Sequence, residues 1–403
     1  MTSENRRLNI AFMHTLILED KRTSWTITNG YIAQALQKHC GDITYLDPVH
    51  LKELLVGKIL NRTTQLLLNK SFMYYHSFYI AKRFAKVMGQ RLAQRSFDVI
   101  VAPSCATEIG FLETDIPIVL IEDATFALLH DYYEQYRRLL KRSIYETDTL
   151  ERLALKKASL ALYPSEWAAR SAREYYQAGG QKVQVVPFGG NIDAPPPLGV
   201  VGRKKKSEQC RLFFIGVEWE RKGGEIAFET LLKLEEMGVP AELIVCGCIP
   251  PAQFAHARMK VIPYLSKKDE KQRKELDKLF ETSDFLLLPT RGDTYGMVFC
   301  EASAFGLPVI ATNTGGVSGA VKDGENGFLL PLEARGAEYA ELIARIYRDD
   351  GRYADLVQSS RAVYTNRLNW DAWGESVSKL ISGMLGEKYA KENSTLAEAV
   401  DTL

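Results

Sequence analysis

Short, dense apolar runs alternate along the chain with longer segments of mixed character. "LNIAFMH" (Leu8–His14), "DITYLDP", "FDVIVAPS" (Phe97–Ser104) and "PIVLIED" (Pro117–Asp123) are runs of strand type. Their near-continuous apolar character predicts strands buried on both faces. Between the first two, "TITNGYIAQALQKHC" (Thr26–Cys40) puts Ile27, Tyr31, Ala35 and Leu36 on one helical face. "KASLALYPSEWAARSAREYYQ" reads as strand, loop and helix, and "QKVQVVPFGGNID" as a strand ending in a turn. The pattern then restarts. "CRLFFIGV" and "AELIVCGC" are strands around the helix "EIAFETLLKLEEMG", and "DFLLLPT" and "LPVIATN" continue the series. Buried strands alternating with helices predict parallel sheets, hence an α/β chain of two consecutive Rossmann-like, doubly wound halves.

"APPPLGVVGRKKKSEQ" (Ala194–Gln209) has the prolines, glycines and basic cluster of a linker, with "RKKK" as a solvated loop. The expected organisation is therefore 1–193, a linker at 194–209, a second domain at 210–369 and a helical tail at 370–403. The stretch Leu54–Arg95 is helical, basic and aromatic. It reads as amphipathic helices packed on the sheet, or as a surface for a membrane or an acceptor.

Composition narrows the function classes. The formal net charge of a 403-residue chain is only +1, which gives no argument for a nucleic-acid partner. Six cysteines without a C-x-x-C pair read as reduced, mostly buried thiols of a cytoplasmic protein. The histidines lack metal-ligand spacing. The amino-terminal apolar run is too short for a signal peptide, and no run is long enough for a membrane span.

Three stretches carry candidate chemistry. "MVFCEASAFG" (Met297–Gly306) is apolar on nearly every face, yet it holds Glu301, and Asp293 lies eight positions before it. A buried carboxylate needs a partner, either a structural Lys or Arg or a ligand with vicinal hydroxyls. The preceding "RGDTYG" is a loop, and the helix start after it offers free N–H groups. "TNTGGVSGAV" repeats the arrangement, with Gly315, Gly316 and Val317 after a strand. In "FFIGVEWERKGGEIAF" the strand ends at Gly216, and Arg221 and Lys222 stand just before a helix, suited to a diphosphate or simply a basic surface pair.

Together these stretches resemble the retaining glycosyltransferases of family 4, which have the GT-B fold. The family's E-x7-E motif stands here as Asp293-x7-Glu301, its continuation as "GLPVIATNTGG", its K-G element as Lys222-Gly223 and its domain-closing segment as "VVPFGGNID". The resemblance covers most of the chain and is strongest from Val183 to Leu330. It implies two Rossmann-like domains facing each other across a cleft, with the C-terminal helix returning to the N-terminal domain. It implies transfer of a sugar from a UDP- or GDP-sugar, with retention of configuration, to a sugar, polysaccharide, lipid-linked or small-molecule acceptor. By position, Glu301 would hold the donor ribose and Asp293 the transferred sugar. Arg221 and Lys222 would meet the diphosphate beside Gly216. Backbone N–H groups of Tyr295, Gly296, Met297 and Val298, and of Gly315 to Val317, would contact sugar and phosphate. No metal or cofactor is expected beyond the donor.

The chain departs from the family at several points. Asp293 stands where the family has Glu, and Val217 where it often has Arg. The glycine-rich first loop is replaced by "EDKRTSWTITNG", whose Ser24, Trp25, Asn29 and Gly30 are the acceptor-side candidates. The family's N-domain histidine is missing, and Asp123 is the substitute candidate, or else a helix N-cap. A glycoside hydrolase has no diphosphate to hold, and no G-x-G-x-x-G follows the first strand to support hydride transfer. A donor-binding protein that has lost transfer is the remaining alternative. The expected location is the cytoplasm, including the inner face of a membrane.

Overall fold

The computed structural model describes residues 7–14, 24–46 and 48–400, with the side chains of Ser24 and of residues 387–400 outside the described set. The chain divides into two compact units, Met1–Val186 with Trp373–Leu403, and Pro187–Ala372.

The first unit carries a sheet of β1 (Leu8–Met13), β2 (Gly41–Leu46), β3 (Val99–Pro103), β4 (Ile118–Ile121), β5 (Leu160–Tyr163) and β6 (Val183–Val185). The strands are all parallel, in the order β2-β1-β3-β4-β5-β6. β3, β4 and β5 are buried along their whole length, as runs such as "IVLI" require. The carboxy-terminal helix rejoins this unit. Gly374 lies against the ring of His39, and Ser378 Oγ donates to the His39 carbonyl at 2.9 Å.

The second unit carries β7 (Cys210–Ile215), β8 (Ala241–Cys246), β9 (Met259–Ile262), β10 (Phe285–Leu288), β11 (Val309–Thr312) and β12 (Gly327–Leu330). They form a second parallel sheet in the order β12-β11-β10-β7-β8-β9. Neighbours β7 and β10 are far apart in sequence, so the winding reverses between them. Loops after two such strands diverge and leave a crevice at the strands' carboxyl ends. At the opposite, amino-terminal ends of β7 and β10, buried Asp284 ties the two strands together. Its carboxylate accepts from the N–H groups of Ser207 at 2.9 Å and Arg211 at 2.7 Å, and its own N–H donates to the Arg211 carbonyl at 2.9 Å.

Several sequence expectations are revised. The stretch 194–209 is not a solvated tether. It contains a short helix, Leu198–Val201, and lies within the second unit. Lys204 Nζ donates to the Phe280 carbonyl at 3.1 Å and Lys206 Nζ to that of Tyr347 at 2.7 Å. Burial pushes Lys204 down to about 8. Two edge strands, β9 and β12, escaped the sequence reading because each is only four residues long and partly exposed. Leu54–Arg95 forms two helices, Glu53–Leu68 and Phe78–Leu92, around a 3-10 turn at Tyr74–His76. The second packs Ile80, Phe84 and Met88 inward, whereas the first leaves most of its apolar residues exposed.

The first unit also buries carboxyl groups that no motif singled out. Glu108, Glu122, Glu146 and Glu151 are all buried. Glu151 Oε2 accepts from the Phe126 N–H at 3.3 Å, and Tyr75 donates to Glu108 at 2.6 Å. Burial, reinforced by Glu151, Asp123 and Glu108, holds Glu122 well above the usual carboxyl range. Burial, reinforced by Asp148 and Asp123, pushes Glu151 up to about 8. Glu122 and Glu151 keep their protons in the native state at pH values where the unfolded chain has lost them. The stabilisation from Glu151 is therefore full below the ordinary carboxyl range and fades as pH rises toward 8. Each such group lowers stability by up to about 1.4 kcal/mol per pH unit across that window. Glu151→Gln keeps the acceptor for Phe126 and removes one ionisable proton. Thermal midpoints at pH 5.5 and 8.0 are expected to converge in this variant relative to wild type; an equal fall in both proteins would mean that Glu151 is ionised in the native state.

Candidate functional site

The donor-side candidates all fall in the second unit, around the loops after β7, β10 and β11. The β7 loop begins at Gly216, whose N–H donates to the Cys246 carbonyl at 2.9 Å. A Cβ at Gly216 would lie 2.7 Å from Lys222 Cγ, so the glycine leaves room for the lysine stem. The loop ends at Gly223, which has φ +77° and caps the helix Gly224–Glu236. A Cβ there would lie 1.9 Å from the Pro289 carbonyl oxygen, so the β7 and β10 loops touch backbone to backbone. The Arg291 N–H donates to the Arg221 carbonyl at 2.7 Å and locks the same contact. Gly223→Ala combines positive φ with this overlap and is expected to cost about 3 kcal/mol or more. The check is a lowered urea midpoint at unchanged slope.

Lys222 and Asp293 meet at this junction. Lys222 Nζ lies 2.7 Å from Oδ1 and 2.9 Å from Oδ2 of Asp293, with both side chains largely buried. Arg221 is arranged differently. Its guanidinium donates to both Glu218 oxygens, at 2.8 and 3.1 Å, and to the Gly292 carbonyl at 2.8 Å. Its approach to Asp293 Oδ1 is looser, at 3.5 Å. The hydrogen bond from Arg221 holds Glu218 below the usual carboxylate range. Of the adjacent cations, Arg221 braces the loop and Lys222 faces the carboxylate. Val217 is exposed at the position where the family often has arginine.

After Asp293 the chain turns into the helix Met297–Ala304, capped by Gly296 at φ +87°. A Cβ at Gly296 would strike the Phe299 ring at 2.3 Å. Gly296, Met297 and Val298 are part-exposed, whereas Phe299 to Ala304 are buried. The helix thus opens at its first turn, where N–H groups lack intrahelical partners. The Tyr295 ring is buried, and its hydroxyl donates to the Phe188 carbonyl at 3.0 Å, so only its backbone is left for the role expected of it. The β11 loop brings in Gly315, at φ +53°, and Gly316, whose N–H donates to the Asp293 carbonyl at 3.1 Å. Val317 is buried at the start of the short helix Val317–Ala320.

Glu301, in the second turn of Met297–Ala304, is buried. Lys267 Nζ forms a short ion pair with its Oε1 and also reaches the Asn191 carbonyl at 3.4 Å. Sequence reasoning left the choice between a structural cation and a hydroxyl-bearing ligand open, and it missed Lys267. Nothing in "LSKKDE" marks one lysine over the other, and only the packing of the β9 loop against the Asn191 segment selects it. Gly190 lets that segment approach closely, since a Cβ there would lie 3.1 Å from Glu301 N.

The acceptor-side candidates belong to the first unit. The helix following β1 spans Ser24–His39, two residues longer at its start than the expected Thr26–Cys40, so Trp25, Asn29 and Gly30 lie in its first turns. Glu19–Thr23 and the Ser24 side chain lie outside the described residues. Gly30 is exposed with open space around it, and Trp25 and Asn29 are part-buried. Asp123 is part-exposed just after β4. It is not a helix cap: Thr125 fills that role for Phe126–Tyr132, accepting from the Leu128 N–H. Its neighbour Glu122, which sequence reasoning passed over, is the buried carboxyl at this strand end. Among the described residues, no three His, Cys, Asp or Glu side chains are grouped to hold a metal ion.

Residues 202–363 match the family model described as Glycosyl transferases group 1. The chain is 26% identical over 217 residues to the D-inositol 3-phosphate glycosyltransferase of Xylanimonas cellulosilytica, a match covering 49% of this chain and 50% of that protein. It thus spans about half the length of this curated relative. Sucrose-phosphate synthase from Thermosynechococcus elongatus superposes with a TM-score of 0.65 at 17% identity, covering 94% of this chain and 100% of that one. HepE from Anabaena, solved in complex with UDP and glucose, gives 0.61 at 15% identity, covering 94% and 100%. At these identities the likeness establishes the fold: two Rossmann-like α/β domains of the GT-B type.

Proposed function

We propose that the chain is a glycosyltransferase that takes a sugar from a UDP- or GDP-sugar and transfers it with retention of anomeric configuration. The observation that carries this reading is the junction of the β7 and β10 loops. There Lys222 and Asp293 pair just ahead of an open helix start, and Glu301 stands buried one turn further on. A diphosphate entering this crevice takes over Lys222 from Asp293, which frees the carboxylate to accept from sugar hydroxyls. The N–H groups of Gly296 to Val298 then supply neutral donors to phosphate or sugar oxygens. Glu301 accepts from the ribose hydroxyls while Lys267 compensates its charge. As the sugar–phosphate bond breaks, negative charge grows on the leaving diphosphate opposite an oxocarbenium-like sugar. A fixed ammonium and fixed N–H groups favour that charge separation with little reorganisation. In this reading a chelator leaves the rate unchanged.

The match over residues 202–363 supports the donor half of this proposal, and the Anabaena protein solved with UDP and glucose shares its fold. The acceptor class is left to experiment. Exposed Val217 and the engagement of Arg221 with Glu218 and Gly292 favour one rival, a donor-binding protein without transfer.

Thermal-shift titration with UDP, GDP and ADP, then UDP-glucose and GDP-mannose, tests donor binding. Saturation at a hundredfold over Kd is expected to add about 2.7 kcal/mol, a shift of several degrees. Silence from every nucleotide would sink the proposal. Binding without donor hydrolysis, and without transfer to any acceptor screened, would favour the rival. Proton NMR of the first glycoside product reads the anomeric outcome directly.

A further inference from the structure

The helix Glu53–Leu68 is built inside out. Its inward face holds Gly57, Asn61 and Thr64: a Cβ at Gly57 would lie 2.5 Å from the Tyr74 ring, and Asn61 Oδ1 accepts from the Phe72 N–H at 2.8 Å. Most of its apolar residues face solvent, with Leu54 half-buried. Leu55 is 63% exposed, Ile59 66%, Leu66 84% and Leu67 76%, with Val56 and Leu60 beside them. At 3.6 residues per turn these six positions fall on one stripe, opposite Gly57 and Asn61. A monomer in water gains nothing from such a stripe, and contiguous exposed apolar surface marks an interaction site.

Charge identifies the partner. Residues 50–95 contain nine Lys and Arg against one acidic residue, in a chain whose net charge is +1. The single acid, Glu53, pairs with Arg83 at 3.2 Å, which joins this helix to Phe78–Leu92. Lys58 and Arg62 flank the stripe on one side, Lys52 and Lys70 stand at its ends, and Tyr79 is exposed one turn before Arg83. An apolar stripe edged by long cationic side chains is the pattern of a helix lying in a bilayer interface. The leucines enter the acyl boundary, and the ammonium and guanidinium heads stay among anionic headgroups. A second copy of this chain would face the same cations and be repelled by them.

We infer that Glu53–Leu68 is a monotopic docking helix for an anionic lipid bilayer. Among the described residues no helix is long and apolar enough to cross a membrane, so the attachment is peripheral.

The test is co-sedimentation of the full chain with vesicles of phosphatidylcholine alone, and of phosphatidylcholine with about a third phosphatidylglycerol. Binding is expected to the anionic vesicles only, and to weaken as salt is raised. Ile59→Glu with Leu66→Glu is expected to weaken it by about tenfold or more. Lys58→Gln with Arg62→Gln is expected to weaken it by about tenfold. All four positions lie outside the core, and circular dichroism with a thermal melt confirms folding. Failure of wild type to bind anionic vesicles overturns the proposal, as does binding that the folded Ile59→Glu, Leu66→Glu variant retains in full. A dimer in sedimentation velocity that this variant dissociates would assign the stripe to a second copy instead. Because nucleotide shifts are read on the other unit, loss of vesicle binding and loss of donor binding are distinguishable.

Discussion

Glu301→Ala is expected to weaken UDP or GDP binding by about a hundredfold or more. Two charge-assisted hydrogen bonds to vicinal hydroxyls, at about 1.5–3 kcal/mol each, are lost together. Isothermal titration measures the loss, and the nucleotide-dependent thermal shift should vanish at concentrations that saturate wild type. The same substitution strips Lys267 of its carboxylate, leaving it the Asn191 carbonyl. Breaking a buried pair from one side costs about 3–5 kcal/mol, less here because the lysine side chain is 28% exposed. The folding cost therefore has to be separated from the binding cost. Lys267→Met does this, since it breaks the same ion pair and keeps the acceptor. If Lys267→Met melts early and still binds nucleotide within about tenfold of wild type, Glu301 has the ligand role. If both variants lose nucleotide equally, the ion pair only shapes the pocket. Unimpaired binding by Glu301→Ala would remove the ribose assignment.

Lys222→Met is expected to lower kcat/KM by about a hundredfold to a thousandfold, the scale of losing one fixed donor to developing negative charge. Arg221→Met should lower it by less than about tenfold, although the two cations are adjacent in sequence. The difference follows from geometry. Lys222 is held by Asp293, a carboxylate that a diphosphate can displace. Arg221 is held by Glu218 and by the Gly292 carbonyl, which close the loop whether or not a donor is present. Arg221→Met should accordingly show its main effect as a lower thermal midpoint. Steady-state kinetics beside melting curves compare the two. Equal kinetic losses would show that the β7 loop rearranges on donor binding and releases Arg221. Asp293→Asn keeps the shape at the junction and removes its charge, and its effect should fall on kcat more than on nucleotide affinity.

Much of this was legible in the chain. Strands buried on both faces must be apolar at nearly every position, and β3, β4, β7, β10 and β11 are so. The repeated alternation with helices then limits the fold to parallel sheets. Positive-φ glycines at 223, 296 and 315 also declare themselves, because no other residue type tolerates those turns so readily. The strands β9 and β12 lie at sheet edges, where one-sided exposure dilutes the apolar signal. In "RKKK", Arg203 and Lys205 are exposed as expected, while Lys204 and Lys206 are drawn in because a long lysine stem can be partly buried while its ammonium finds a carbonyl, as Lys204 does at Phe280. The helix expected over Thr26–Cys40 begins two residues earlier, at Ser24.

By itself the sequence determined the class of the fold, the places where the backbone must turn after each strand, and the carboxylates and cations available there. Those properties depend on local sterics and on the cost of burying polar groups, which near neighbours already express. Tertiary structure alone decided which cation meets which carboxylate: Lys222 with Asp293, Lys267 with Glu301, and Arg221 with Glu218. It also decided that the apolar stripe of Glu53–Leu68 faces outward, because helical periodicity is the same whichever side is turned to solvent. Ion pairing and facing are set by groups brought together from distant parts of the chain, and no local pattern records them.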